Sequence, residues 1–274
     1  MPAGYHATRD HDEMAVPQHP QKHDGRTYVT PHALLAYRNE LGIATNPSPP
    51  AVICCWQASL FATVRAERPH RRLHGPGEIL LGLAGSAAEL LELDSGIGVC
   101  LVPVGAPAAA IVLEELAALG TTRLIGVGAA GGLSPDLSPA DAVVCTAALR
   151  DEGTSSHYLA PARFAHPDPT LREALTAAAP SAASGPTWST DAPYRETLEE
   201  IAAYRDEGIV TVDMEAAALF AVGERLGVRA ASLFCVSDVL SGDHWTPHFG
   251  SRDVDDALLE CFIAAEAAIS ATAS

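Results

Sequence analysis

At 274 residues with 48% hydrophobic side chains, the chain can bury a large core, which excludes global disorder. Its 34 acids against 17 bases give a formal net charge of −17, leaving no basic face for nucleic acid or an anionic membrane as partner. No apolar run is long enough to span a bilayer and no hydrophobic signal core opens the chain, so a cytoplasmic location is expected.

Residues 1–26 are polar and irregular, with His6, His11, His19 and His23 at no repeating spacing. They read as a disordered leader to a single domain spanning 27–274. Ala33 to Leu41 is expected to be a short helix stopped by Gly42. From Ala51 the pattern turns α/β: strands at Ala51 to Cys55, Gly77 to Ala84 and Gly96 to Val104, with a helix at Ser59 to Glu67. Pro107 to Leu119 repeats apolar residues at helical spacing, and Gly120 ends it. Leu124 to Val127 is too apolar to alternate, which suggests burial on both faces. Ala142 to Ala148 and Ala230 to Val236 complete the strands. Further helices are expected at Leu171 to Ala178, at Glu196 to Glu207, after Val212, and from Asp253 to Ser270 behind a Ser251 cap. The six cysteines are scattered, mostly in apolar runs without zinc-site spacing, and read as reduced core residues.

Val212-Asp213-Met214-Glu215-Ala216 joins an apolar run to a helix. Acids at such a junction either cap the helix or grip a polar ligand, and both readings fit. Gly126 to Gly132 reads as a glycine loop closing a buried strand, with Gly128 letting the backbone approach a ligand. Pro135 and Pro139 follow it, so it is not a dinucleotide fingerprint. Gly105 joins another strand end to a helix start and frees N–H groups for a ligand. Asp151 to Tyr158 reads as a polar, adaptable loop in which His157 is a candidate ligand group or a packing residue. Asp238 ends the last apolar run, where it either starts a turn or shares a proton.

Together and in this order, these pieces resemble the nucleoside phosphorylases of the purine and uridine phosphorylase type, including the methylthioadenosine/S-adenosylhomocysteine nucleosidases. The resemblance runs from about Val99 to Asp243. It rests on Glu114-Glu115-Leu116-Ala117-Ala118-Leu119-Gly120, Gly128-Ala129-Ala130-Gly131-Gly132-Leu133, Ala140-Asp141-Ala142-Val143-Val144, Val212 to Ala217 and Val236-Ser237-Asp238. It implies one three-layer α/β domain with a twisted, mixed, partly barrel-like sheet flanked by helices, assembling as a homo-oligomer, a dimer or a hexamer built of dimers. It implies cleavage of a nucleoside's N-glycosidic bond: phosphorolysis to free base and ribose 1-phosphate, a purine-like base being favoured over uridine. Glu215 would hold the ribose hydroxyls and Met214 would pack on the sugar. Asp213, one methylene shorter than the family's usual Glu, would assist. Asp238 would meet the base, and His32 of Thr30-Pro31-His32 would reach a neighbouring subunit's sugar. Tyr194 would stack on the base, and Arg195 would meet its exocyclic oxygen. No cofactor is implied beyond phosphate as cosubstrate.

The family's phosphate contacts have no counterpart here. Cys54-Cys55-Trp56-Gln57-Ala58-Ser59 replaces the arginine-bearing loop, Gly126 stands where an arginine is expected and Ala129 where Ser or Thr is. Arg65, Arg68, Arg71 or Arg72 would have to substitute, or else form a surface cluster. Phosphate-independent hydrolysis and non-catalytic nucleoside binding are therefore the alternatives.

Overall fold

The structure, a computed structural model, describes residues 19, 21–76, 88–240 and 245–272. Most of the expected leader and the expected strand at Gly77 to Ala84 lie outside those residues. In chain order the elements are α1 (Pro31–Glu40), β1 (Ala51–Cys55), α2 (Ala58–Glu67), β2 (His70–Leu73), β3 (Glu89–Leu93), β4 (Gly98–Leu101) and α3 (Ala106–Ala118). They continue through β5 (Arg123–Gly132), β6 (Ala142–Asp151), β7 (Phe164–Ala165), α4 (Pro169–Ala178), β8 (Ala183–Thr190), α5 (Leu198–Asp206) and β9 (Thr211–Asp213). The chain closes with α6 (Ala216–Leu226), β10 (Arg229–Val239), β11 (Thr246–Pro247) and α7 (Arg252–Ala271).

The result is one α/β domain on a mixed sheet ordered β11-β10-β6-β8-β9-β5-β1-β4-β3-β2. An additional β10–β5 pairing closes β5, β9, β8, β6 and β10 into a barrel, while β1, β4, β3 and β2 extend from it as an open wing. Closure removes edges within the barrel and leaves β2 as the edge of the wing. β5 runs parallel to both β1 and β10 and is buried over most of its length, as its unbroken apolar start predicts.

Alternate residues of these strands feed two helical layers. Val52, Cys54, Leu124 and Phe234 pack against α3 and α6. Ile53, Ile125, Leu233 and Cys235 pack against α2, α4 and α7. A smaller cluster of Leu133, Leu149, Trp188, Ile201, Ile209 and Val212 fills the space under α5. All six cysteines are buried and free. Ser251 caps α7, accepting from the Val254 N–H at 3.4 Å, and Leu258, Cys261, Phe262 and Ala265 face the core.

The structure corrects several expectations. The glycine segment is not a loop: β5 continues through Gly128 to Gly132, pairing β10 along one side and β9 at its end. It takes glycines because a Cβ at Gly131 would lie 2.9 Å from a Val212 methyl. The strand expected to begin at Gly96 begins at Gly98, since Gly96, at φ 80°, makes the turn from β3. β2, β3 and β8 were not expected. β2 is a charged edge strand. β8 contains Gly185 and Pro186 and is rich in Ser and Thr, which reads locally as loop. Barrel pairing to β6 and β9 makes it a strand.

Candidate functional site

A cavity of about 600 Å³ opens where β5, β9 and β10 deliver their C-terminal residues. Asp213 ends β9 and is buried. Its Oδ1 accepts from Ser189 Oγ at 2.6 Å and Thr187 Oγ1 at 3.2 Å, both on β8. Its Oδ2 accepts from the backbone N–H groups of Glu215 (2.8 Å) and Ala216 (2.6 Å). Asp213 is therefore the cap of α6, satisfying donors that no helical carbonyl can reach. Ser189 Oγ also accepts from the Ala217 N–H at 3.0 Å, fastening the same helix start to the barrel.

Because Asp213 does the capping, the Glu215 carboxylate is left to the cavity. Its Oε1 accepts from the Gly105 N–H at 2.6 Å, and the Met214 N–H also stabilises its charge. Gly105 sits at φ 107°, a backbone conformation open to glycine, and turns that N–H away from α3. Burial, then the neighbouring Asp213, pushes the Glu215 carboxyl up to about 8. Burial likewise lifts Asp213 above the ordinary carboxylate range, against the four hydrogen bonds it accepts.

Asp238 lies across the cavity at a register shift in β10, which re-aims the side chain. Its Oδ1 accepts from Ser237 Oγ at 2.8 Å and its Oδ2 from Trp245 Nε1 at 2.7 Å. Glu196 also faces the cavity, and burial, then Asp238 and Glu200, push its carboxyl up to about 7. Tyr194, 99% exposed, stands at the mouth with Trp245 and Phe249, whose rings are 6.0 Å apart. Four carboxyls, a methionine and an aromatic rim around one cavity can hold a polar sugar-like group and a flat ring together.

Of the residues singled out in the sequence, Asp213, Met214, Glu215, Asp238, Tyr194 and Gly128 line this cavity. Gly105 joins it through Glu215. His32 and His157 do not. They line a second cavity between the N-terminal segment and α3. Arg195 is absent from the described lining of the first. Arg65, Arg68 and Arg71 pair with Glu89, Glu266 and Glu92 on the surface. The segment after Arg150 is pinned, which corrects its reading as an adaptable loop. The buried Arg150 guanidinium donates to Ser155 Oγ and to the carbonyls of Leu159, Ala160 and Ala162.

Sequence reasoning missed Trp56, Gln57, Glu196, Trp245 and Phe249, which also line the cavity. Trp56 and Gln57 carried a signal: they follow β1 directly, at the strand end where α/β sheets meet ligands. The other three carried none, because the turn before α5 and the 245–249 segment reach the mouth only through chain folding. No described group of three or more His, Cys, Asp and Glu is placed to hold a metal ion.

A family model, the phosphorylase superfamily, matches residues 56–270. The chain belongs to that superfamily. The match extends beyond both ends of the ordered motifs. Relatives include a guanosine phosphorylase of Halorubrum lacusprofundi, 34% identical over 167 residues, 59% of this chain and 67% of that one. A uridine phosphorylase of Thermococcus kodakarensis is 31% identical over 183 residues, 60% of this chain and 64% of that one. The alignments thus take in about two thirds of each relative's length. Among solved structures, the purine nucleoside phosphorylase of Toxoplasma gondii in complex with immucillin-H superposes with a TM-score of 0.68 at 21% identity, over 81% of this chain and 91% of that one. The AMP nucleosidase of Bacteroides thetaiotaomicron does so with a TM-score of 0.66 at 18% identity, over 87% and 97%. At such identities the structural likeness speaks for the superfamily's fold alone.

Proposed function

We propose that this protein cleaves the N-glycosidic bond of a nucleoside, with a purine-like base favoured. The observation that carries the reading is that Glu215 and Asp238, from different elements, line one cavity together with Met214. Breaking the bond builds positive charge on the sugar and negative charge on the departing base. Glu215 would accept from the ribose hydroxyls and favour the positive sugar. Asp238, with Glu196 beside it, would protonate or hydrogen-bond the base as it leaves, help worth roughly 10²–10⁴-fold. The aromatic mouth would stack on the ring. The names of the relatives support the same bond class and keep pyrimidine nucleosides in the test panel.

Phosphorolysis, to ribose 1-phosphate, is the reaction those names suggest. Hydrolysis is the second reading, favoured by a specific observation: no Lys, Arg or His is among the described residues lining the cavity. Assembly as a homo-oligomer belongs to the proposal too, supported by the exposed Val104, Tyr194, Leu198, Trp245 and Phe249 around the mouth.

The test is incubation with inosine, guanosine, adenosine and uridine, with and without phosphate, following free base by chromatography. Release from a purine nucleoside is expected. Silence across the panel would sink the catalytic reading.

A further inference from the structure

We propose that Trp56 and Gln57 form the subsite for the second reactant and that this subsite takes water rather than a phosphate anion. The inference rests on the nucleoside reading above and names the partner in that reaction.

Position comes first. Trp56 and Gln57 leave the end of β1, and the indole lies along β5. A Cβ at Gly126 would sit 3.1 Å from Trp56 Cη2, and one at Gly128 would sit 3.2 Å from Trp56 Cε3 and 3.8 Å from Gln57 Oε1. Three residues further along the same strand, a Cβ at Gly131 would sit 3.4 Å from Asp238 Oδ2. At about 3.3 Å per strand residue, the two ends of this cavity wall are roughly 10 Å apart. With the base at Asp238 and the sugar hydroxyls at Glu215, Trp56 and Gln57 are lining residues of the same cavity that neither group takes up. That leaves them to a displacing reactant.

Charge comes second. The described lining holds Asp213, Glu215, Glu196 and Asp238 and no cationic side chain. With no cationic side chain there, nothing in the described lining offsets the charge of an incoming anion. The indole also fills the space beside Gly126 that a cationic side chain would need.

Hydrogen bonding comes third. Trp56 Nε1, a donor, and Gln57 Oε1, an acceptor, are both buried and without a hydrogen-bond partner. Unpaired buried polar atoms are uncommon and costly. A phosphate ion could meet the pair through one oxygen and one P–OH, but its remaining charged oxygens would find no cationic side chain among the described lining. Water accepts from the indole and donates to the amide, and rotation of the Gln57 side chain admits it. In the step, the water oxygen bonds to C1′ as the C1′–N bond breaks and its electron pair leaves on the base. The base takes a proton at the Asp238 end, and the proton shed by the new hydroxyl passes to solvent. Free ribose and free base result.

The experiment uses the full chain with inosine and guanosine, with and without millimolar phosphate, and identifies the sugar product. Free ribose at a phosphate-independent rate is expected, and ribose 1-phosphate overturns the proposal. Gln57→Ala is expected to lower kcat about tenfold at unchanged nucleoside KM and unchanged melting temperature. An unaltered kcat removes Gln57 from the subsite. If no nucleoside is turned over, the cleavage reading fails, and phosphate binding then judges the subsite. Phosphate titrated against tryptophan fluorescence and melting temperature is expected to give no saturable response. A saturable rise in the parent's melting temperature with phosphate that Gln57→Ala or Trp56→Phe abolishes overturns the assignment.

Discussion

Asp213 and Glu215 are two positions apart and differ in what surrounds their oxygens. Four donors converge on Asp213, which holds β8, β9 and the start of α6 together. Replacing it with alanine strands two hydroxyls and two backbone N–H groups, at a cost of about 2 kcal/mol or more. A lower melting temperature is expected, with nucleoside affinity falling alongside because Glu215 loses its anchor. Glu215 has the opposite profile, a buried carboxyl with little to stabilise its charge. Its folded-state value of about 8 exceeds the ordinary 4.5, so the folded protein binds this proton more tightly than the unfolded chain. The stability it contributes is fully present below pH 4.5 and is lost as pH rises through 8. Glu215→Gln should flatten that decline between pH 5 and 8 in melting curves and raise the melting temperature at pH 8. Measured above pH 8, where Glu215 is ionised, the same variant should slow nucleoside cleavage by about 10²-fold, since the neutral amide does not favour a positive sugar.

Among the elements, β5 serves both fold and cavity, because its glycines let β9, β10 and Trp56 come close. Gly131→Ala would push a methyl against Val212 and Leu240 and crowd Asp238. Overpacking of this kind costs about 1–3 kcal/mol. The expected result is a lower denaturation midpoint together with weakened nucleoside binding. An alanine tolerated on both counts would show that the wall is more compliant than its contacts suggest. Arg150 plays a comparable part for the segment behind β6. Arg150→Ala leaves three carbonyls without their buried guanidinium donor, and faster proteolysis at 155–162 should report the loss. Helices α3, α6 and α7 were legible because their apolar residues recur at helical spacing and Gly or Ser marks an end. β8 was not, because strand pairing to β6 and β9 overrides its local turn chemistry.

At the scale of the whole molecule, barrel closure brings β9 and β10, both far from β5 in sequence, to the same end of that strand. A ligand seated there binds only the folded chain, so a purine nucleoside at 100 times its dissociation constant should stabilise the protein by about 2.7 kcal/mol. Calorimetry with inosine should show the corresponding rise, and a melting temperature indifferent to every nucleoside in the panel would count against the cavity as their site. By itself, the sequence determined the α/β class, the buried β1 and β5, the superfamily membership and the acids at 213, 215 and 238. These are carried by local periodicity and by ordered motifs, which survive without knowledge of contacts. Tertiary structure alone decided that Asp213 caps while Glu215 faces the cavity, that the glycine segment is strand, and that Trp56, Gln57 and Glu196 join the wall. Each of those outcomes depends on which donors and neighbours reach a residue from distant parts of the chain, and spacing along one segment contains no record of them.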